Sequence, residues 1–107
     1  MTYRVLLVED AERDIEDIHA YIARNDSIGR ADAVLDDLET QCEILREFPE
    51  RGNLPKELRD LGIELYREIH FKPYRIIYRI IDQDVVILGV FDGRRDMESL
   101  LQRRVLR

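Results

Sequence analysis

The stretch YREIHFKPYRIIYRIID, Tyr66 to Asp82, alternates polar and apolar residues on both sides of a Lys-Pro step. A period of two sends successive side chains to opposite faces of a strand. Two such runs joined by a short turn read as an antiparallel hairpin. A two-residue turn at Lys72-Pro73 then fixes the partners by subtraction. Phe71 opposes Tyr74, His70 opposes Arg75, Ile69 opposes Ile76 and Arg67 opposes Tyr78. A second turn at Asp82-Gln83 adds a strand over about residues 84–91, with Ile76 opposite Gly89 and Arg75 opposite Val90. One face then carries Ile69, Phe71, Tyr74, Ile76, Tyr78, Ile80, Val85, Ile87 and Phe91, and must be covered by helices. The other carries Glu68, His70, Arg75, Ile77, Arg79, Val86, Leu88 and Val90, a mixture expected of a face open to water. A slip of one residue at either turn would exchange the faces.

The rest of the chain supplies the cover. Thr2 to Val8 is short, β-branched and apolar, and reads as a strand. Asp10 can cap a helix whose stripe is Ala11, Ile15, Ile18 and Ile22. Asn25-Asp26-Ser27 breaks it, and Ala31, Leu35, Leu38, Cys42 and Leu45 form the stripe of a second helix that ends before Pro49. The short break makes an antiparallel αα-hairpin, whose stripes need a sheet to bury them. Residues 49–63 form a loop with a helical turn near Lys56–Leu61, and RDMESLLQRRVLR forms a final helix with Met97, Leu100 and Leu101 facing in. The expectation is one α+β domain over residues 1–107: an antiparallel sheet with an N-terminal αα-hairpin packed on one face.

Charge narrows the function. A net charge of −6 argues against bulk affinity for nucleic acid. Its distribution is uneven. Residues 9–47 hold thirteen Asp and Glu against four Arg, whereas residues 94–107 hold five Arg against Asp96 and Glu98. No apolar run approaches the roughly 20 residues that cross a bilayer, and MTYRVLLVEDAERD turns acidic too soon for a secretory signal. A cytoplasmic location without membrane attachment is expected. The one cysteine, Cys42, lies in the helical stripe and reads as a buried structural thiol. No Gly-rich phosphate loop, metal-ligand set or Ser-His-Asp grouping is present, so no cofactor or metal is expected.

The polar residues of the second face gather at one end. His70 and Arg75 sit side by side, and the chain leaving Val90 runs into Phe91-Asp92-Gly93-Arg94-Arg95, which brings Arg94 within reach of both. Such a rim can hold phosphates or an acidic peptide. It can equally be a solvated face, with Glu68 pairing to Arg75 or Arg79.

Taken together, the opening strand with AERDIEDIHAYIA, the run FPERGNLPKELRDLGIELYREIHFKPYRIIYRIID, and VVILGVFDGRRDMESLL resemble the RelE/ParE superfamily of type II toxin–antitoxin toxins. The resemblance covers nearly the whole chain. It implies a β-α-α-β-β-β-α toxin in a hetero-oligomer with a cognate antitoxin. RelE-like members are ribosome-dependent mRNA endoribonucleases, and ParE-like members inhibit DNA gyrase.

The ribonuclease branch is matched at Arg75, in YRIIY, and Arg94, in DGRR. His70 stands where that branch has a cationic strand residue near the turn. Glu68 stands where it has a lysine, and Leu100 where it has a tyrosine or histidine. RNA cleavage needs proton-transfer groups and cations for the phosphate. In that reading His70 is the acid or base, with Arg75 and Arg94 on the phosphate. The acidic Glu68 and the missing second proton-transfer group favour the ParE-like reading, in which the target is DNA gyrase and Arg79, Arg95, Arg103, Arg104 and Arg107 contact target or antitoxin. The alternative retains the ribosome and mRNA. A third possibility is a degenerate member that only binds its antitoxin.

Overall fold

The computed structural model describes residues 2–106. Its elements are β1 (Arg4–Leu7), α1 (Glu9–Asn25), α2 (Ile28–Ile44), α3 (Lys56–Arg59), β2 (Tyr66–Phe71), β3 (Tyr74–Ile81), β4 (Asp84–Asp92) and α4 (Met97–Val105). The architecture is the expected α+β one. The four strands lie in the order β1-β4-β3-β2; β2-β3 and β3-β4 are antiparallel, and β1 joins β4 in parallel.

The first hairpin follows the alternation, with Phe71 opposite Tyr74, His70 opposite Arg75 and Ile69 opposite Ile76. The second does not follow it throughout. Beyond Tyr78 and Ile87 the register shifts, so Ile77 meets Gly89, Ile76 meets Val90 and Arg75 meets Phe91. The expected Ile76–Gly89 and Arg75–Val90 pairs are therefore wrong by one residue. The reason is a β-bulge: β4 spends Leu88 as an extra residue, which turns every later side chain over. Val90 thus joins the core under α1 and α2, while Phe91 points to the opposite face.

That opposite face is not open, which corrects the second expectation. Leu58 of α3 and Met97 and Leu101 of α4 cover Tyr66, Ile77 and Phe91 in a second core. The sheet is thus sandwiched: α1 and α2 lie on one side, the hairpin face, and α3 and α4 on the other, the α4 face. On the hairpin face Ala11, Val34, Leu38, Cys42 and Leu45 meet Ile69, Ile76, Tyr78, Val85 and Ile87. Each fully buried Leu or Ile contributes about 1.5–3 kcal/mol over an exposed one. Val34 rather than Leu35 is the fully buried member of the α2 stripe.

Helix starts follow local chemistry. Ser27 caps α2, its hydroxyl accepting from the Arg30 N–H. Asp10 is not the α1 cap; the helix begins at Glu9 after an extended Val8, and Glu9, Asp10 and Glu12 supply negative charge in its first turn. Tyr78 ties the loop after α2 to the sheet. Its hydroxyl donates to the Pro49 carbonyl at 2.6 Å and accepts from the Gly52 N–H at 3.1 Å. A Cβ on Gly52 would lie 2.6 Å from the Glu68 carbonyl oxygen, so only glycine permits this approach.

Candidate functional site

Strand alternation puts Glu68 and His70 on the α4 face of β2, and the hairpin register sets Arg75 beside His70. Glu68 is the one buried charged residue among those described, only 3% exposed. Its Oε1 accepts from Arg75 Nε at 2.6 Å and lies 2.9 Å from His70 Nε2; its Oε2 accepts from Arg75 Nη2 at 3.0 Å. Asn53 reaches the same carboxylate at 3.3 Å. Glu57, in the first turn of α3, takes Arg75 Nη1 and Nη2 at 2.9 and 2.7 Å. Two carboxylates therefore occupy all three nitrogens of one guanidinium. The hydrogen bond from Arg75 draws the Glu57 carboxyl down to about 2, against the opposing effect of burial. The same bond to Glu57 raises Arg75, with Glu68 adding to it.

Arg94 is not part of this cluster. Its Nε and Nη2 donate to Asp92 at 2.9 and 2.6 Å, and its side chain is 77% exposed. It lines a cavity of about 320 Å³ with Asp14, Asp17, Ile18, Tyr21, Tyr74 and Arg95, on the α1 side. The expected joint rim of His70, Arg75 and Arg94 is thus split. His70 and Arg75 meet through Glu68, and Arg94 is held by a separate carboxylate. The bulge explains part of this, because it changes what each residue after Leu88 faces.

The remaining arginines also separate. Arg95 and Arg103 are exposed, and Arg103 donates to the Ser99 carbonyl at 3.4 Å. Arg104 is committed inside the fold. It pairs bidentately with Asp14 at 3.0 Å, donates to the Leu88 carbonyl at 3.1 Å and lies 4.8 Å over the Phe91 ring. A Cβ on Gly89 would collide with that guanidinium at 2.7 Å, so the bulge glycine makes room for it. Arg79 has the Tyr66 ring 6.0 Å away and a buried Nε without an acceptor. Arg107 lies outside the described residues.

Sequence reasoning missed Glu57 and Asp14. Glu57 had no signal, since α3 is a single turn and its placement depends on the tertiary path. Asp14 had one: it sits three residues after Ala11 and four before Ile18, a carboxylate on the flank of the apolar stripe. Cys42 is buried, and burial pushes its thiol up to about 11.

The family described as the ParE toxin of the type II toxin–antitoxin system parDE matches residues 5–97. The chain belongs to the ParE toxin family. Toxin ParE3 of Caulobacter vibrioides is 29% identical over 101 residues, which is 94% of this chain and 97% of that one. Among solved structures, a chain of the chromosomal ParDE system of P. aeruginosa superposes with a TM-score of 0.73 at 15% identity, over 85% of this chain and 96% of the other. A chain of the RelBE2 toxin–antitoxin complex of Mycobacterium tuberculosis does so with a TM-score of 0.59 at 27% identity, over 86% and 99%. A double mutant of E. coli RelE in the free state gives 0.67 at 18% identity, over 100% and 98%. The P. aeruginosa and E. coli likenesses establish the fold. The family match makes this ParE-family chain a toxin of a toxin–antitoxin system.

Proposed function

We propose that this ParE-family toxin acts by binding a protein target, DNA gyrase, that it cuts no RNA, and that a cognate antitoxin neutralises it. The observation that carries the reading is the state of Arg75. A ribonuclease of the related branch needs that guanidinium free for phosphate. Here Glu57 and Glu68 saturate it, leaving two carboxylates against one guanidinium beside a half-exposed His70. A phosphate approaching Arg75 would meet both carboxylates within a few ångströms, in a partly desolvated place where repulsion is strong. The net charge of −6 also opposes docking on a ribosome.

The exposed Arg94, Arg95 and Arg103 then remain for protein contacts, whereas Arg104 is consumed by the fold. Purified toxin offered to gyrase in a supercoiling assay, and separately to translating ribosomes, tests the reading. Inhibited supercoiling with intact message is expected. Cleaved message that His70→Ala abolishes would replace gyrase with the ribosome as target. A toxin silent in both assays would be a degenerate member.

A further inference from the structure

Two cavities meet on the α1 side of the sheet. The one of about 320 Å³ that Arg94 lines has Ile18, Ile22 and Val90 as its apolar floor. A second, of about 250 Å³, continues past Arg30 and Val34 to the Lys72-Pro73 turn. Tyr21, Ile22 and Tyr74 line both, so the two form one cleft with a pair of tyrosines at its waist. Tyr21 is 62% exposed, on a helix whose other exposed positions are mostly charged. One exposed aromatic is ordinary, whereas two around a concave apolar floor have the make-up of a binding site.

The rim of the cleft is charged, and its charges are unequally spent. Asp14 is taken by Arg104, and Asp92 by Arg94. Asp17 and Asp26 then remain against Arg30, Lys72 and Arg95, and none of these five is in an ion pair among the described residues. Cations therefore exceed acids here, in a molecule whose net charge is −6. They converge on Tyr74. Burial, and then Asp92, raise its phenol above the ordinary value, while Arg94 and Arg30 pull the other way, so both guanidinia act on one hydroxyl. Arg94 is also held ready. Asp92 fixes its Nε and Nη2, and the Gly93 N–H donates to the Pro73 carbonyl at 2.8 Å, which fastens this loop to the hairpin turn. Its Nη1 has no acceptor among the described residues. A guanidinium fixed in this way loses little freedom when it takes one.

We infer that this cleft is the surface by which the toxin grips its protein target, and that it takes a short segment carrying an Asp or Glu beside an aromatic or aliphatic side chain. The inference rests on the protein-target reading above and adds where contact is made. Tyrosine and arginine around a desolvated apolar floor are the residues that dominate the energy of protein interfaces. Charge complementarity selects the acidic group, since the unspent charge of the rim is cationic. The apolar side chain of the target seats between Tyr21 and Tyr74, and its carboxylate is met by Arg94 and Arg95. A nucleic-acid strand fits less well, because Asp17, Asp26 and Asp92 share the rim with the cations and would repel successive phosphates.

The test titrates full-length toxin into a gyrase supercoiling assay, for wild type, Tyr21→Ala, Arg95→Glu and Arg59→Glu. Arg59 is exposed on α3, across the sheet from the cleft; its variant changes the net charge as Arg95→Glu does and serves as the control. Both cleft variants should need about tenfold or more toxin for half-inhibition, with the control unchanged. The Tyr21 and Arg95 side chains are exposed, and circular dichroism checks that the variants fold; Arg30→Glu, on another element, answers the same question if Arg95→Glu does not. Lost potency in a folded variant supports the cleft. Unchanged potency in both variants, with an active wild type, overturns it and leaves the protein-target reading standing. Wild-type toxin that never inhibits gyrase removes both. Retained potency with weakened binding of the antitoxin, of a second toxin copy or of a single-stranded RNA would give the cleft to that occupant and overturn the inference.

Discussion

Asp14 is expected to be a highly sensitive charged position. Its carboxylate accepts three hydrogen bonds of 3.0 Å, from the Val90 N–H and from Arg104 Nη1 and Nη2. It therefore joins α1, the chain just past the bulge, and α4. The Asp14 and Arg104 side chains are only 17% and 15% exposed, so neither can recover full hydration. Removing one partner of such a pair costs about 3–5 kcal/mol, because a charge is stranded. Orphaning the Val90 N–H adds about 1–3 kcal/mol. Asp10, 3.9 Å from Arg104, returns part of this. The expected loss for Asp14→Ala is about 4 kcal/mol, a large share of the roughly 5–15 kcal/mol available to a domain. For a chain of this size that corresponds to a melting point lower by roughly 15–30 °C. Asp14→Asn keeps an acceptor for Val90 and should lose about half as much. The double variant Asp14→Ala/Arg104→Met leaves no stranded charge and lays an apolar side chain on Phe91; it should be more stable than Asp14→Ala alone. Thermal and urea melts of the four proteins decide it. A loss below about 1 kcal/mol for Asp14→Ala, or a double variant no better than the single, would refute the argument.

Further expectations are narrower. The Glu57 carboxyl is held at about 2 against an ordinary 4.5. Its pairing with Arg75 should therefore stabilise fully above about pH 4.5 and fade as pH falls toward 2, on the order of 2–3 kcal/mol in all. Glu57→Gln should flatten the stability profile in that window, as urea melts at successive pH values would reveal. Tyr78→Phe removes the hydroxyl that satisfies both Pro49 and Gly52, and should cost about 2–4 kcal/mol. Faster hydrogen exchange at the Gly52 amide is its signature; an unchanged rate would mean the loop is held by something else. The Cys42 thiol, pushed up to about 11 by burial, should resist a thiol reagent at neutral pH until denaturant opens the core. Prompt labelling of the native protein would count against that burial.

The legible part of the fold was whatever repeats. Alternation through Tyr66–Ile81 fixed the first hairpin, and the stripe of Ala11, Ile15, Ile18 and Ile22 located α1, because both patterns are written once per turn or once per pleat. What failed was not periodic. Nothing in DVVILGVFD announces that Leu88 is an extra residue except Gly89, and a lone glycine in a strand fits a bulge and a plain close approach alike. The bulge then reversed Val90 and Phe91 and displaced the expected partners of Arg75. The cover over the second face depends on a single-turn helix and a tail, whose docking is decided by tertiary packing. So His70 and Arg75 were placed correctly as neighbours and Glu68 as a possible partner, but Arg94 was not among them, and the second carboxylate, Glu57, came from an element whose position the sequence does not encode locally.

That failure bears on mechanism. The same arginine in the same hairpin register is compatible with both readings, and the proposed function turns on the carboxylates that face it, Glu68 from β2 and Glu57 from α3. With Glu57 and Glu68 in place, Arg75 is a structural cation that locks α3 to β2 and β3. Local motif resemblance therefore cannot separate the nuclease branch from the gyrase branch, because KPYRIIYRI is compatible with either. In the function proposed above, what separates the readings is the number of carboxylates per guanidinium at that corner, one from the strand and one brought by α3. Replacing both acids, as in Glu57→Gln/Glu68→Gln, should leave Arg75 able to take a phosphate. Wild-type protein should show no such binding. Inorganic phosphate that shifts the melting point of both proteins equally would show that the carboxylates do not decide what the corner can hold.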